Sequence, residues 1–122
     1  MQDQCRISAD QAVKWGVSLL TKCNLSEKDA AIVVKMLITS SLRGIDTHGL
    51  ILIRHYARRF TGIKFQPIKI VKESETTCLI DAGYNYGVLA SAFAMNKAIE
   101  KAEKYGCGAA SVRNSHHFAA GI

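Results

Sequence analysis

The chain has no Cys-x-x-Cys pair, no internal repeat, no low-complexity tract and no apolar run of membrane-spanning length. Its four cysteines, Cys5, Cys23, Cys78 and Cys107, are widely scattered. That spacing excludes a zinc knuckle or a dense disulfide framework and favours free thiols in a reducing compartment. Met1-Gln2-Asp3-Gln4 leads straight into a helix-start pattern, without the apolar stretch that a secretory signal needs. No segment reaches the ~20 apolar residues of a transmembrane helix. A cytoplasmic protein without a membrane partner is therefore expected. Walker and Gly-x-Ser-x-Gly patterns are also missing. Gly106-x-Gly108 precedes a strand pattern, lacks a third glycine and opens no helix, so it reads as a helix stop and not as a dinucleotide-binding turn.

What is present is ordinary globular composition, 122 residues of which 48% are hydrophobic and 21% charged, enough for one modest domain with a real core. The net charge of +6 is concentrated. Arg43, Arg54, Arg58, Arg59, Lys64, Lys69 and Lys72 face the single acid Asp46 within residues 43–72, and bases and acids balance elsewhere. A local positive field favours a carboxylate or phosphate ligand, or a nucleic-acid backbone. The basic residues are not interleaved with the aromatics that stack bases, and no nucleic-acid-binding signature accompanies them.

Ser8-x-x-Gln11 is a capping-box pattern ahead of Ala12, Val13, Val17 and Leu20, which predicts a helix over 9–22. Ser26-x-x-Asp29 opens a second helix with Ala30, Val33, Val34, Leu37 and Ser41 along one side, so the two form a helical hairpin. A third helix is predicted from Thr47 or His48 to Arg59, with Leu50, Ile51, Ile53 and Ala57 inward and Arg54, Arg58 and Arg59 outward. Residues 68–72 and 76–80 read as strands, closed by Asp81-Ala82-Gly83. Gly87 to Tyr105 is the longest helical pattern, with Leu89, Ala92, Phe93, Asn96, Ile99 and Ala102 on its apolar face and Lys97, Glu100, Lys101 and Lys104 opposite. Gly106 stands where a left-handed C-terminal residue belongs. Residues 108–112 read as a short buried strand.

Two polar clusters carry the chemistry. Arg43-Gly44-Ile45-Asp46-Thr47-His48-Gly49 sets an imidazole between two glycines at a helix mouth, with Asp46 or Thr47 as the expected cap. Arg113-Asn114-Ser115-His116-His117-Phe118 follows a strand directly, where ligands bind in layered α/β proteins. A zinc or iron site is disfavoured: His48 and His55, two turns apart on one predicted helix, would lie about 10 Å from each other. The sequence ends at Ala119-Ala120-Gly121-Ile122, within a small-residue stretch like the start of another element. The expectation is thus an N-terminal portion of a longer protein, with 1–60 helical and 61–122 opening an α/β core.

Together, Arg6-Ile7-Ser8, Leu42 to Gly49, Arg58-Arg59-Phe60, Lys104-Tyr105-Gly106 and Val112 to Phe118 resemble the malate/L-lactate dehydrogenase family of the non-Rossmann type. The resemblance implies a layered α/β fold around a mixed sheet. It also implies an oxidoreductase that uses NAD or NADP to interconvert a 2-hydroxy acid and a 2-oxo acid, with the main cofactor loops beyond residue 122 and a homodimer at full length. His48 then matches the acid/base that protonates the carbonyl oxygen, and His117 a second active-site histidine for which the same role is proposed. Which of the two moves the proton stays open. Thr47 would offer its hydroxyl to the substrate, and Asn114 and Ser115 would shape the pocket that His48 and His117 face. Leu52 stands where many members carry an arginine that pairs with the substrate carboxylate, which leaves Arg43 as the nearby cation, and His116 stands where asparagine is usual. A basic nucleic-acid or polyanion-binding module built on residues 43–72 is the alternative.

Overall fold

A computed structural model describes residues 6–120, which divide into two compact units between Gly62 and Ile63. The first unit is helical, with α1 (Ala9–Thr21), α2 (Glu27–Leu42), a 3₁₀ turn (Asp46–His48) and α3 (Leu52–Phe60). Both helix starts follow the capping chemistry. Ser8 Oγ accepts the Gln11 N–H at 3.2 Å while Gln11 Oε1 accepts the Ser8 N–H at 3.1 Å. Ser26 Oγ likewise accepts the Asp29 N–H at 3.1 Å. Each bond satisfies a donor that the helix itself leaves unpaired. Leu20, Ala30, Val33, Val34 and Leu37 are buried between α1 and α2, and Gly16 lets these helices close tightly, since a Cβ there would lie 2.9 Å from both Val34 Cγ1 and Ile53 Cδ1.

α3 departs from expectation at its start. Gly49 takes an extended conformation (φ −98°, ψ −147°), so the helix opens at Leu52 and not at Thr47 or His48. That delay re-aims the buried stripe. Ile53, Tyr56 and Phe60 turn inward at helical spacing, whereas Ile51, expected inside, is 72% exposed. Arg54, Arg58 and Arg59 face solvent as expected. In α2 the buried hydroxyl belongs to Ser40, not Ser41; Ser40 Oγ donates to the Met36 carbonyl within its own helix.

The second unit is a three-stranded mixed sheet with one crossover helix. β1 (Lys69–Glu73) runs antiparallel to β2 (Thr77–Asp81), and β2 runs parallel to β3 (Ala109–Arg113), in the order β1-β2-β3. α4 (Gly87–Tyr105) makes the β2-to-β3 crossover and ends, as expected, on left-handed Gly106 (φ +86°). Cys78, Ile80 and Ala94 form the centre of this unit's core, with Ile70, Phe93 and Ala110 packed beside them.

Two expectations fail here. β3 is not buried: among the described residues it pairs with β2 on one edge only, and of its residues Ala110 alone is half-buried. The buried stripe of α4 is Gly87, Val88, Ala90, Ala94 and Lys101, while Met95 and Ile99 are 62% and 47% exposed. Small side chains let α4 lie close to the sheet. Lys101, expected in solvent, buries its stem and directs Nζ to the Ser74 carbonyl at 2.6 Å and to Glu73 Oε1 at 2.8 Å.

Candidate active site

His48 is set by a tightly fastened turn. α2 ends at Arg43, an exposed residue whose N–H returns to the Thr39 and Ser40 carbonyls, and Gly44 reverses the chain with φ +76°. The His48 N–H then donates to the Ile45 carbonyl and the Gly49 N–H to that of Asp46. Neither Asp46 nor Thr47 caps a helix. No side chain caps α3; Ser41 Oγ instead ties the turn, accepting the Leu50 N–H at 2.9 Å. Gly49 serves close approach in place of the flexibility read from sequence: a Cβ there would sit 2.1 Å from Ser41 Oγ. The Thr47 hydroxyl, expected at the substrate, lies 2.9 Å from His48 Nδ1. His48 itself is half-buried, and Leu52 begins α3 one turn on.

The second cluster is anchored by a residue that the sequence reading passed over. Asp81 closes β2 directly beside Arg113, its register partner at the end of β3. Asp81 Oδ1 accepts the Gly83 N–H, and Oδ2 accepts Arg113 Nε and Asn114 Nδ2, all at 3.0 Å. These donors, the Gly83 amide first, hold its carboxyl below the usual carboxylate range. The local signal was the Asp-x-Gly spacing of an Asx turn; the partners on β3 lie more than thirty residues away. Asn114 adopts φ +53° and its carbonyl accepts the Tyr84 N–H at 2.7 Å, which turns the chain out of the sheet.

Beyond Asn114, the Ser115 hydroxyl donates to the His116 carbonyl. His117 is exposed, and its Nδ1 accepts the Ala119 N–H at 3.2 Å. The loop rests against the start of α4 so closely that a Cβ on Gly87 would lie 2.2 Å from the His116 carbonyl oxygen. The structure thus brings Asp81, Arg113 and Asn114 together. It places Arg43, Thr47 and His48 in the first unit and Asn114, Ser115 and His117 in the second.

His48 and His55 occupy different elements, the 3₁₀ turn and α3, and not one helix. Among the described residues no three His, Cys, Asp or Glu side chains are grouped to hold a metal ion, and no helix is long and apolar enough to cross a membrane. A dinucleotide cradle needs glycines whose open side faces a pyrophosphate. At the β2–α4 turn, Gly83 and Gly87 face backbone of this chain instead: a Cβ would lie 2.5 Å from the Gln66 oxygen or 2.2 Å from that of His116. The β2–α4 turn therefore does not form such a cradle.

A parallel β–α–β crossover with polar loops at its strand ends is an α/β arrangement, a class whose ligands bind outside the carboxyl ends of the strands. Over residues 7–122 the chain matches the malate/L-lactate dehydrogenase family, and it belongs to that family. It is 38% identical over 120 residues to malate dehydrogenase from Pyrococcus abyssi, covering 96% of this chain and 33% of that protein. With L-sulfolactate dehydrogenase from Methanocaldococcus jannaschii the identity is 35% over 105 residues, 84% of this chain and 30% of the relative. The solved malate dehydrogenase from Pyrococcus horikoshii OT3 superposes with a TM-score of 0.91 at 30% identity, over 98% of this chain and 35% of that one. The fold is the mixed-sheet, non-Rossmann fold of these enzymes. The chain spans about a third of their length.

Proposed function

We propose that this chain supplies the proton-transfer and substrate-holding residues of an oxidoreductase that interconverts a 2-hydroxy acid and a 2-oxo acid with NAD or NADP. The observation that carries the reading is His48, held half-buried on a fastened turn with a hydroxyl on Nδ1, in a chain that matches this family almost throughout. When bound, the nicotinamide supplies the hydride. Its main binding loops are assigned to the length that the relatives have and this chain does not span, in line with Gly83 and Gly87 being packed against backbone of this chain. The residues here serve the proton and the acid. An imidazole exchanges protons near neutral pH. Arg43, exposed at the end of α2, is assigned to the substrate carboxylate, and Asn114 and Ser115 to the wall beside His117.

The names of the relatives make malate and sulfolactate the first acids to test, with lactate beside them. The assembly assigned to the full-length protein is a cytoplasmic homodimer, with residues 1–60 as its helical segment and 61–122 as the start of its α/β core. A spectrophotometric screen of the corresponding 2-oxo acids with NADH and NADPH tests the reading. In a protein of the relatives' length carrying this chain, His48→Ala lowers turnover by at least about 100-fold. An unchanged rate removes His48 from the mechanism. The 122-residue chain alone is expected to be inactive, and clear NADH-linked turnover by it contradicts the reading.

A further inference from the structure

The ion pair that closes β2 and β3 leaves most of its cation unused. A guanidinium meets a carboxylate most strongly as a fork, with parallel N–H donors on both oxygens. Asp81 does not offer Arg113 that face. Its Oδ1 accepts the Gly83 N–H, and its Oδ2 accepts Asn114 Nδ2 beside Arg113 Nε, all at 3.0 Å. Arg113 is therefore held by its side nitrogen. Among the described residues its end nitrogens, Nη1 and Nη2, have no hydrogen-bond partner. Exposure divides the pair in the same way, 14% for the Asp81 side chain and 53% for that of Arg113. The carboxylate orients from below, and the end of the guanidinium is left to solvent.

The place is one where α/β sheets take ligands. Asp81 and Arg113 are register partners at the carboxyl ends of the parallel strands β2 and β3, and α4 begins a short turn beyond Asp81. The backbone beside them is held against its own preference. Tyr84 takes φ +58° yet is 61% exposed, so burial does not offset a conformation that bulky side chains disfavour. Its N–H is fixed by the Asn114 carbonyl at 2.7 Å. Outliers of this kind gather where ligands are clamped.

We propose that Arg113 is an oxyanion seat: Asp81 aims it through Nε, and Nη1 and Nη2 receive the oxygens of a carboxylate, sulfonate or phosphate. Every residue of the seat lies in the second unit. Arg43, assigned to the substrate carboxylate, is in the first, so Arg113 serves a further anionic group. The source of that group rests on the proposed oxidoreductase reading. It is either the second acid group of an acid such as malate or sulfolactate, or the pyrophosphate of NAD or NADP. The seat itself stands without that reading.

Sodium sulfate is the probe for the 122-residue chain. At ionic strength held constant with sodium chloride, sulfate shifts the Arg113 Nε–H resonance saturably, the resonance being assigned by its loss in Arg113→Lys. Arg58→Gln, on the solvent face of α3, leaves that shift unchanged. No shift, or one that chloride alone reproduces, overturns the seat. In the protein of full family length, Arg113→Lys keeps a cation for Asp81 but loses the fork. One KM then rises roughly tenfold, the order of a lost hydrogen bond to a charged group, while kcat changes much less. A rise for the 2-oxo acid of malate, and not for that of lactate, gives the seat to the second acid group. A rise for NADH or NADPH gives it to the pyrophosphate. A fall in kcat with every KM unmoved shows that Arg113 only braces the strand ends, and overturns the proposal. Hydrogen exchange at the Tyr84 amide stays as slow in Arg113→Lys as in wild type; if the variant loosens it, the wild-type titration decides alone. If the full-length protein reduces no 2-oxo acid, the oxidoreductase reading falls and the sulfate titration still decides the seat.

Discussion

Asp81 gathers more of the second cluster than any histidine does. Its carboxylate ties the ends of two parallel strands and the first residue of the His117 loop, and those ties hold it ionised. A carboxyl whose folded pKa is depressed stabilises the native state above its ordinary value, ~3.9, and that contribution is lost as pH falls through the lower folded value. The loop is therefore expected to stay anchored throughout pH 5–8 and to loosen only below about 4. Asp81→Asn, which removes the charge and keeps one acceptor oxygen, shows the loosened loop at every pH. Hydrogen exchange at the Tyr84 amide, bonded to Asn114, measures both effects; protection unchanged by Asp81→Asn defeats the prediction. At this scale the sequence revealed what depends on neighbours along the chain: the capping pairs of Ser8 and Ser26, and the two histidine loops. It hid Asp81, whose partners Arg113 and Asn114 are remote, and Ser41, which reaches nine residues ahead to Leu50.

The elements show the same division between local and remote causes. The bounds of α4 were readable to the residue, since Gly106 and the helical period are local signals. Its buried face was not, because packing selected the small residues and left Met95 and Ile99 outside. Hydrophobic periodicity weighs bulk, whereas a helix lying close to a sheet needs little of it. Lys101 marks the consequence. Its side chain is 9% exposed and its Nζ is the partner of the Ser74 carbonyl at the β1–β2 turn. Lys101→Met keeps the buried stem and deletes that bond and the Glu73 pair. We expect it to cost about 1.5–3 kcal/mol, the order of one part-buried hydrogen bond made by a charged group. Urea denaturation of the chain checks this, and a midpoint equal to wild type would show the buried lysine to be replaceable by any group of its shape. α3 teaches the same lesson from its other end: one extended glycine moved the helix start to Leu52 and rotated which residues face inward.

At the scale of the molecule, the division between Gly62 and Ile63 falls in a stretch where Gly62 and Pro67 already broke the pattern in the sequence. The mixed order β1-β2-β3 was foreshadowed by family likeness alone, because strand periodicity does not say which strands pair. Residues 61–64 are all exposed and lie outside any helix or strand. Proteolysis requires the segment around the cut to leave regular structure, so the susceptible bond is the one whose surroundings cost least to unfold. Lys22 and Arg43 also lie in exposed turns, but several backbone bonds fasten each: Cys23, Asn24 and Leu25 bond back to the end of α1, and Arg43, Gly44 and Ile45 to the end of α2. Around Lys64 the nearest such bond is that of the Gln66 N–H to the Gly83 carbonyl, at 3.3 Å. Brief trypsin treatment of the native chain is therefore expected to cut after Lys64 before any other site between Lys14 and Arg113, giving pieces that end and begin at residues 64 and 65. Mass spectrometry of the earliest products decides it. First cuts after Lys22 or Arg43 would mean that the helical unit opens more readily than the segment joining it to the sheet.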